Sequence, residues 1–546
     1  MKDLLNKIQE NNLLLEVVDG KLKVFTKETS INESLIAEIK ANKEELIKAL
    51  QENENTDSLG DKENKILKSP ELNGYPLSSS QQRLWTLSQM DNASVSYNML
   101  GVYEMKGILR DELLCKSFEK LIHRHEILRT VFKEDSQGKV KQYVKDEDTV
   151  KFTLNTVDLR NLENYEKELK DRIKHENESL FNLEEGPLLR GELIQVSNTK
   201  WIFCFVMHHI ISDGWSIDIM MKELMEVYRQ LNENLDDSKQ DLEIQYKDYA
   251  VWQQEQLVNG GLKKDREYWL VHLQGDLPVL SDFGDFPRPA VKTYKGKFIE
   301  RKINTSLYKK FKDLCSREEG TLFIGCLSLL NTFLHKYSGQ EDLIIGSPVS
   351  GRTHAALHDQ IGFYVNTLAL RNIFSSEDSF EVLLEKVKKN TLEAFEHQAY
   401  PFDELLDDLQ ITRDLSRSAL FDIMLVVQDA KNEQEIDFLE DGSLSIATYN
   451  NDFHSASKFD LLFTFTESSD ELVIGIEYNS DIFSRSLVEQ MLVHMEQLLA
   501  NLVANTSASL SAISCLSTEE EQELVVTYNA TETVYEEGTS ILSLFA

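Results

Sequence analysis

Nothing in this 546-residue chain reads as a disulfide framework or a zinc site: its five cysteines, Cys115, Cys204, Cys315, Cys326 and Cys515, are odd in number, scattered and never spaced as CxxC. That usage suits a reducing compartment, and the expected location is the cytoplasm. Positive charge is also scarce. With 58 Lys and Arg against 93 Asp and Glu, the formal charge of −35 argues against binding to nucleic acid or an anionic membrane, which need basic surfaces. No segment approaches the ~18 uninterrupted apolar residues of a membrane span. The opening MKDLLNKIQENN has no apolar core of a secretory signal. No repeat of 20 to 50 residues is visible, which excludes a solenoid.

What is present is a globular composition, 41% hydrophobic and 9% aromatic, in a chain long enough for three or more domains with sizeable cores. The organising stretch is Trp201 to Ser216, WIFCFVMHHIISDGWS. Trp201 to Val206 is an unbroken apolar run and predicts a strand buried on both faces. Two histidines, a short apolar pair and Ser212-Asp213-Gly214 then lead into an apolar-periodic segment, Ile217 to Leu231. This is strand, tight turn, helix. Side chains alternate along a strand, so His208 and His209 cannot both face the same space.

Residues 1–51 read as a small unit of their own. Leu4, Leu5 and Ile8 mark one helix; Leu13 to Val18 and Lys21 to Thr26 flank Asp19-Gly20, a two-residue hairpin signal. A second helix follows from Asn32 to Leu50. Residues 1–50 hold eight basic and nine acidic residues, so nearly all the excess negative charge lies further on. Lys21, Lys23 and Lys27 fall in or just after the second strand. They serve either to protect an edge strand from aggregation or to guide an acidic peptide that adds beside it. Residues 52–74 begin with linker composition, QENENTDSLGDKENKILKS running from Gln51 to Ser69. Beyond them, helical and strand patterns alternate in two halves, 75–250 and 251–512, with a helix expected over Leu113–Phe132. The fold class is α/β, two sandwiches of similar size.

His208, His209, Asp213 and Gly214 match the HHxxxDG motif of condensation domains from nonribosomal peptide synthetases. Six further stretches resemble that family's motifs, in its order: Ser80-Gln81-Gln82-Arg83-Leu84-Trp85, Arg124-His125-Glu126-Ile127-Leu128-Arg129-Thr130, Tyr246 to Trp252, Ile361 to Thr367, His397 to Phe402, and Arg413-Asp414-Leu415-Ser416-Arg417. The resemblance implies two chloramphenicol-acetyltransferase-like lobes in a V, with the histidine motif at the floor of a tunnel between them. It implies that His209 faces the tunnel and accepts a proton from the attacking amine, or holds that amine, while His208 packs inward and supports the turn. It further implies that Asp213 forms an ion pair across the lobes, with Arg371 at the matching position. Gly214 is either a turn glycine or a close approach that steadies an oxyanion. Arg124 and Arg129 are expected in scaffold ion pairs, and Trp252 and Asn366 at the lobe junction.

The N-terminal helix, hairpin and helix resemble TubC-like docking domains, which implies an upstream synthetase whose C-terminal tail docks here. Residues 513–546 resemble the connector into an adenylation domain. No carrier-type serine motif is present, so phosphopantetheine would arrive on partner carrier proteins. No resident cofactor or metal is expected. The expected reaction is amide-bond formation between two carrier-bound residues, of the type joining two L-configured residues. An epimerisation domain would share HHxxxDG, but the connector and docking unit favour condensation; a heterocyclisation domain would carry an aspartate-rich version instead. A CoA-dependent acyltransferase would pair HxxxD with a C-terminal DFGWG, and Asp282-Phe283-Gly284 is mid-chain and followed by Asp285. An idle docking platform is the non-enzyme reading, against which His209, Asp213 and Gly214 speak.

Overall fold

The computed structural model describes residues 13–18, 21–26, 65–89, 94–150, 152–235, 241–411, 414–430, 436–439, 442–449, 456–532 and 540–546. The chain divides into two compact units, Met1–Leu67 and Lys68–Ala546. In the first, β1 (Leu13–Val18) pairs antiparallel with β2 (Lys21–Thr26), Leu13 opposite Thr26 and Val18 opposite Lys21. The pairing is the one expected of two strand-forming segments separated by Asp-Gly in the sequence. The turn, Lys27 and the two expected flanking helices lie outside the described residues.

The larger unit begins with α1 (Ser79–Ser88), β3 (Asn98–Gly107), α2 (Asp111–Arg124), β4 (Thr130–Glu134), β5 (Val140–Val144), β6 (Leu154–Asp158), α3 (Tyr165–Glu178), β7 (Leu189–Ser197), β8 (Lys200–His208) and α4 (Gly214–Glu233). It continues with α5 (Tyr246–Asn259), α6 (Lys263–His272), β9 (Gly296–Ile303), α7 (Thr305–Arg317), α8 (Leu322–Ser338), β10 (Asp342–Val349) and β11 (Asn366–Ile373). The last part contains α9 (Phe380–Glu396), α10 (Phe402–Leu409), β12 (Ile423–Asp429), β13 (Ile436–Asp437), β14 (Leu444–Thr448), β15 (Leu461–Glu467), β16 (Leu472–Asn479), α11 (Arg485–Ala504) and α12 (Thr518–Gln522).

Two six-stranded sheets organise the unit, one in the order β13-β14-β3-β8-β7-β6 and the other β11-β10-β12-β15-β16-β9. The class is mixed α/β. The apolar run of β8 lies between β3 and β7, and every residue from Trp201 to His208 is buried. Both faces of that strand are covered, which is why its sequence does not alternate. Helices α2 and α4 pack against each other. In the second half, α8 is buried continuously from Ile324 to Leu334 and anchors a core shared with Phe380, Phe463 and Met491.

The structure departs from the sequence reading in two elements. The helix expected over Leu113–Phe132 stops at Arg124, where His125 takes extended backbone (φ −104°, ψ 99°). A 3-10 turn, Glu126–Arg129, buries Ile127 and Leu128, and the β-branched Thr130-Val131 enters β4. The second departure is a crossing. Residues 436–448, expected in the second half, leave β12 and add β13 and β14 to the first sheet, with Leu444 opposite Gly107 and Thr448 opposite Tyr103. The chain then returns to place β15 parallel to β12.

Candidate active site

The site is built where β8 ends and α4 begins. His208 is fully buried, and its Nδ1 accepts from the Ile210 amide at 3.1 Å. The neutral ring therefore carries its proton on Nε2, an atom without a hydrogen-bond partner among the described residues. The ring stands edge-on to Phe181, centroids 6.0 Å apart, and Arg190 covers that phenyl ring at 3.7 Å. His208 thus packs inward and fixes the turn.

His209 opens the 3-10 turn His209–Ile211 and is half-buried. Its Nδ1 lies 2.8 Å from the Ser212 carbonyl. A carbonyl only accepts, so Nδ1 donates and Nε2 carries a lone pair that meets no hydrogen-bond partner among the described residues. Phe363 stands edge-on to the ring, centroids 4.8 Å apart. Burial, and after it the charge of Lys458, pull both imidazoles from the ordinary histidine value down to about 3. Both rings are neutral near pH 7. Gln81 of the SQQRLW stretch holds the turn from behind, its Nε2 donating to the Ile210 carbonyl at 3.1 Å.

Asp213 caps α4 and is fully buried. Its Oδ1 receives the Ser216 amide at 2.8 Å and lies 2.7 Å from the Ser216 hydroxyl, and its Oδ2 receives the Tyr364 amide at 3.0 Å. The cation beside it is Arg352, with Nη2 3.2 Å from Oδ1 and 2.9 Å from Ser216 Oγ. Arg352 also donates through Nη1 to the Gln360 carbonyl at 2.7 Å, and its guanidinium lies over the Tyr364 ring at 4.2 Å. This network joins the helix after β8 to the loop between β10 and β11. Every oxygen of the carboxylate is engaged.

The expected Asp213–Arg371 pair does not form. Arg371 grips Asp342 instead, Nε to Oδ1 at 3.0 Å and Nη2 to Oδ2 at 2.7 Å, and donates to the carbonyls of Gln274 and Asp276. Strand geometry accounts for this: seven residues at about 3.3 Å each separate Arg371 from Tyr364, whose amide holds Asp213, so the guanidinium lies at the far end of β11. Sequence reasoning missed Arg352, Ser216 and Tyr364. Gly351, whose φ is +66° and whose added Cβ would meet the Tyr364 carbonyl at 1.9 Å, is the trace that sequence carries of the tight turn presenting Arg352.

The other expected residues divide by place. Gly214 starts α4, and a Cβ built there would enter open space, so no close approach of a neighbour requires glycine at this position. Arg124 lies 3.4 Å from Glu223, which also contacts His125 Nε2 at 2.8 Å. Arg129 donates to the Lys145 carbonyl at 2.7 Å. Asn366 binds the HQAYPF turn, donating to the Gln398 and Tyr400 carbonyls at 2.9 and 2.7 Å and accepting from the Phe402 amide at 2.9 Å. Trp252 lies against Tyr249, ring centroids 6.0 Å apart. Lys21 and Lys23 are on β2, whose side chains lie outside the description, as does all of Arg413. Among the described residues no group of three or more His, Cys, Asp or Glu is placed to hold a metal, and no helix is long and apolar enough to cross a membrane.

Residues 71–525 match the family model described as Condensation domain. The chain belongs to the condensation-domain family. It is 37% identical over 477 residues to a plipastatin synthase polypeptide of Bacillus subtilis, covering 86% of this chain and 18% of that protein. Gramicidin S synthase 2 of Brevibacillus brevis is 36% identical over 471 residues, 86% of this chain and 10% of that protein. The chain thus spans less than a fifth of the length of these relatives. Among solved structures, the condensation fold recurs in the X-domain from teicoplanin biosynthesis (TM-score 0.74, 22% identity, 83% of this chain and all of that one). It recurs also in the four-domain nonribosomal peptide synthetase holo-AB3403 (TM-score 0.73, 22% identity, 83% of this chain and 35% of that one).

Proposed function

We propose that this condensation domain forms an amide bond: the amine of an acceptor aminoacyl group on one carrier protein attacks the thioester of a donor acyl or peptidyl group on another. The observation that carries the reading is the fixed tautomer of His209, a neutral imidazole with Nε2 unoccupied on a half-buried ring. The attacking amine hydrogen-bonds to Nε2, adds to the thioester carbon, and loses a proton to that nitrogen. The tetrahedral intermediate then collapses, the carbon–sulfur bond breaks, and the departing thiolate takes a proton back. Exclusion of water protects the thioester from hydrolysis. Asp213 touches no reacting atom in this scheme; with Arg352 it locks the turn carrying His209.

The phosphopantetheine arms belong to the partner carriers. The residues joined are of the L,L type, as the DGWS and SQQRLWTL stretches suggest by their family resemblance. The β1–β2 unit receives an upstream synthetase's C-terminal tail, guided by Lys21, Lys23 and Lys27, and residues 513–546 lead toward adenylation and carrier domains. Condensation between two loaded carriers, followed by mass spectrometry, tests the reaction. Product should fall by about 10²–10⁴-fold in His209→Ala, the range for loss of a general base, while its melting temperature stays near that of the parent chain. Full turnover in His209→Ala would end the proposal.

A further inference from the structure

The ring packed against His209 comes from far along the chain. Phe363 lies in the loop between β10 and β11, and its phenyl ring stands at 64° to the imidazole with centroids 4.8 Å apart, which is contact between aromatic rings. The backbone that carries it is held at three successive residues. The Gly362 amide donates to Ser216 Oγ at 3.0 Å, the Phe363 carbonyl accepts from the Tyr246 hydroxyl at 2.7 Å, and the Tyr364 amide donates to Asp213 Oδ2 at 3.0 Å. Tyr246 is anchored in turn, its hydroxyl 2.8 Å from Ser78 Oγ at the cap of α1. A Cβ added to Gly362 would lie 2.1 Å from the Tyr246 ring, so loop and tyrosine are already in contact. Gly362 and Tyr364 are buried, while Phe363 between them is half-buried. The side chain is thus fixed at its root, and part of the residue faces space that protein atoms do not fill.

We propose that Phe363 sets which acceptor residues are used: its ring is a fixed wall of the space entered by the side chain of the residue whose amine attacks. The inference rests on the condensation reading above. The amine must come within about 3 Å of His209 Nε2 to give up its proton. The Nδ1 side of the imidazole is closed by the Ser212 carbonyl, 2.8 Å away, so the amine arrives at the opposite edge, with the phenyl ring alongside. An acceptor side chain branches from the carbon bonded directly to that amine. A donor side chain branches one bond further off, beyond the thioester carbon. The acceptor's side chain is therefore the one that Phe363 meets first. A small one fits beside the ring, whereas a bulky one has to displace a ring whose backbone is tied on both sides, and packed side chains yield little. The bonds to Ser216 and Asp213 that steady the histidine turn also hold this wall beside it.

The test uses the full chain, one fixed donor, and acceptor carriers loaded in turn with alanine, leucine, phenylalanine and tryptophan. In Phe363→Ala the ratio of kcat/KM for tryptophan to that for alanine should rise by about tenfold or more, the low end of discrimination by an apolar pocket. Phe363→Leu should raise it by less, and Phe363→Trp should lower it. Each ratio is taken within one variant, so a smaller folded fraction or a less steady His209, which slows every acceptor alike, cancels from it. A ratio that stays at the parent value in all three variants, or falls in Phe363→Ala, would leave Phe363 as a support for His209 alone and overturn the proposal. So would a size preference that changes only when the same series is moved to the donor carrier. Absence of product from every pair with the parent chain would instead sink the condensation reading, and this inference with it.

Discussion

The carboxylate of Asp213 accepts from two amides, faces a hydroxyl and lies against Arg352, all of them out of solvent. Removing one partner of such a buried pair leaves the other charge unmatched, at a cost of about 3–5 kcal/mol. Asp213→Asn and Arg352→Met should therefore both lower the melting temperature, and their loss of condensation should track loss of folded protein. Activity that vanished at an unchanged melting temperature would instead give Asp213 a direct part in the chemistry. The histidines make a different forecast. With folded values near 3 against an ordinary value near 6.5, the unfolded chain binds their protons first as pH falls. Their effect on stability is absent above about pH 6.5 and becomes increasingly destabilising from there toward pH 3. A neutral His209 across the working range also removes the imidazole from the pH–rate profile. The acid limb should follow the acceptor amine, about 7.7–8.0 for an ordinary α-amine, and move when that amine is made less basic. A limb near pH 6.5 that ignores the acceptor would contradict this.

Elements were legible in the sequence where burial imposes a pattern and obscure where contacts are long-range. The β8 run and the apolar period of Ile217 to Leu231 in α4 each follow from local physics, so the histidine turn was visible in the chain. The break after Arg124 was not, because Leu114, Phe118, Leu121 and Leu128 keep helical spacing while His125 already leaves helical backbone. Arg352 was hidden for another reason: its partner Asp213 is 139 residues away, and the neighbouring Gly351 marks a tight turn without naming what the arginine meets. The β14 crossing is the least legible of all, a five-residue strand, LSIAT, whose sheet is chosen by β3. Gly107 makes that choice possible. Its φ is +132°, and an added Cβ would lie 2.0 Å from the Ser443 carbonyl. Gly107→Val combines backbone strain with a main-chain clash, and should cost more than about 2 kcal/mol. Lower denaturant midpoints and faster amide exchange at residues 444–448 are the expected readouts; exchange there at the parent rate would mean that β14 does not depend on Gly107.

Across the whole molecule, charge is distributed by unit. Residues 1–50, with eight basic and nine acidic side chains, contribute −1 of the total −35, and the remainder carries −34. On the docking proposal, an acidic peptide approaching the chain would be repelled by nearly all of it except the β1–β2 unit, and the same imbalance that favours solubility would direct such a peptide to one place. Adding a strand beside β2 would supply main-chain hydrogen bonds indifferent to salt, while Lys21 and Lys23 would supply a screened attraction. These two contributions separate experimentally. Raising ionic strength from about 0.1 to 1 M shortens the Debye length from ~10 to ~3 Å and should weaken binding of an acidic upstream tail mainly by slowing its association. Lys21→Glu with Lys23→Glu should reproduce that loss at low salt and leave condensation between untethered, saturating carriers unchanged, because His209 and its supports all lie in the other unit. Binding insensitive to both salt and charge reversal would assign those lysines to protecting an edge strand, and leave any docking to the backbone alone.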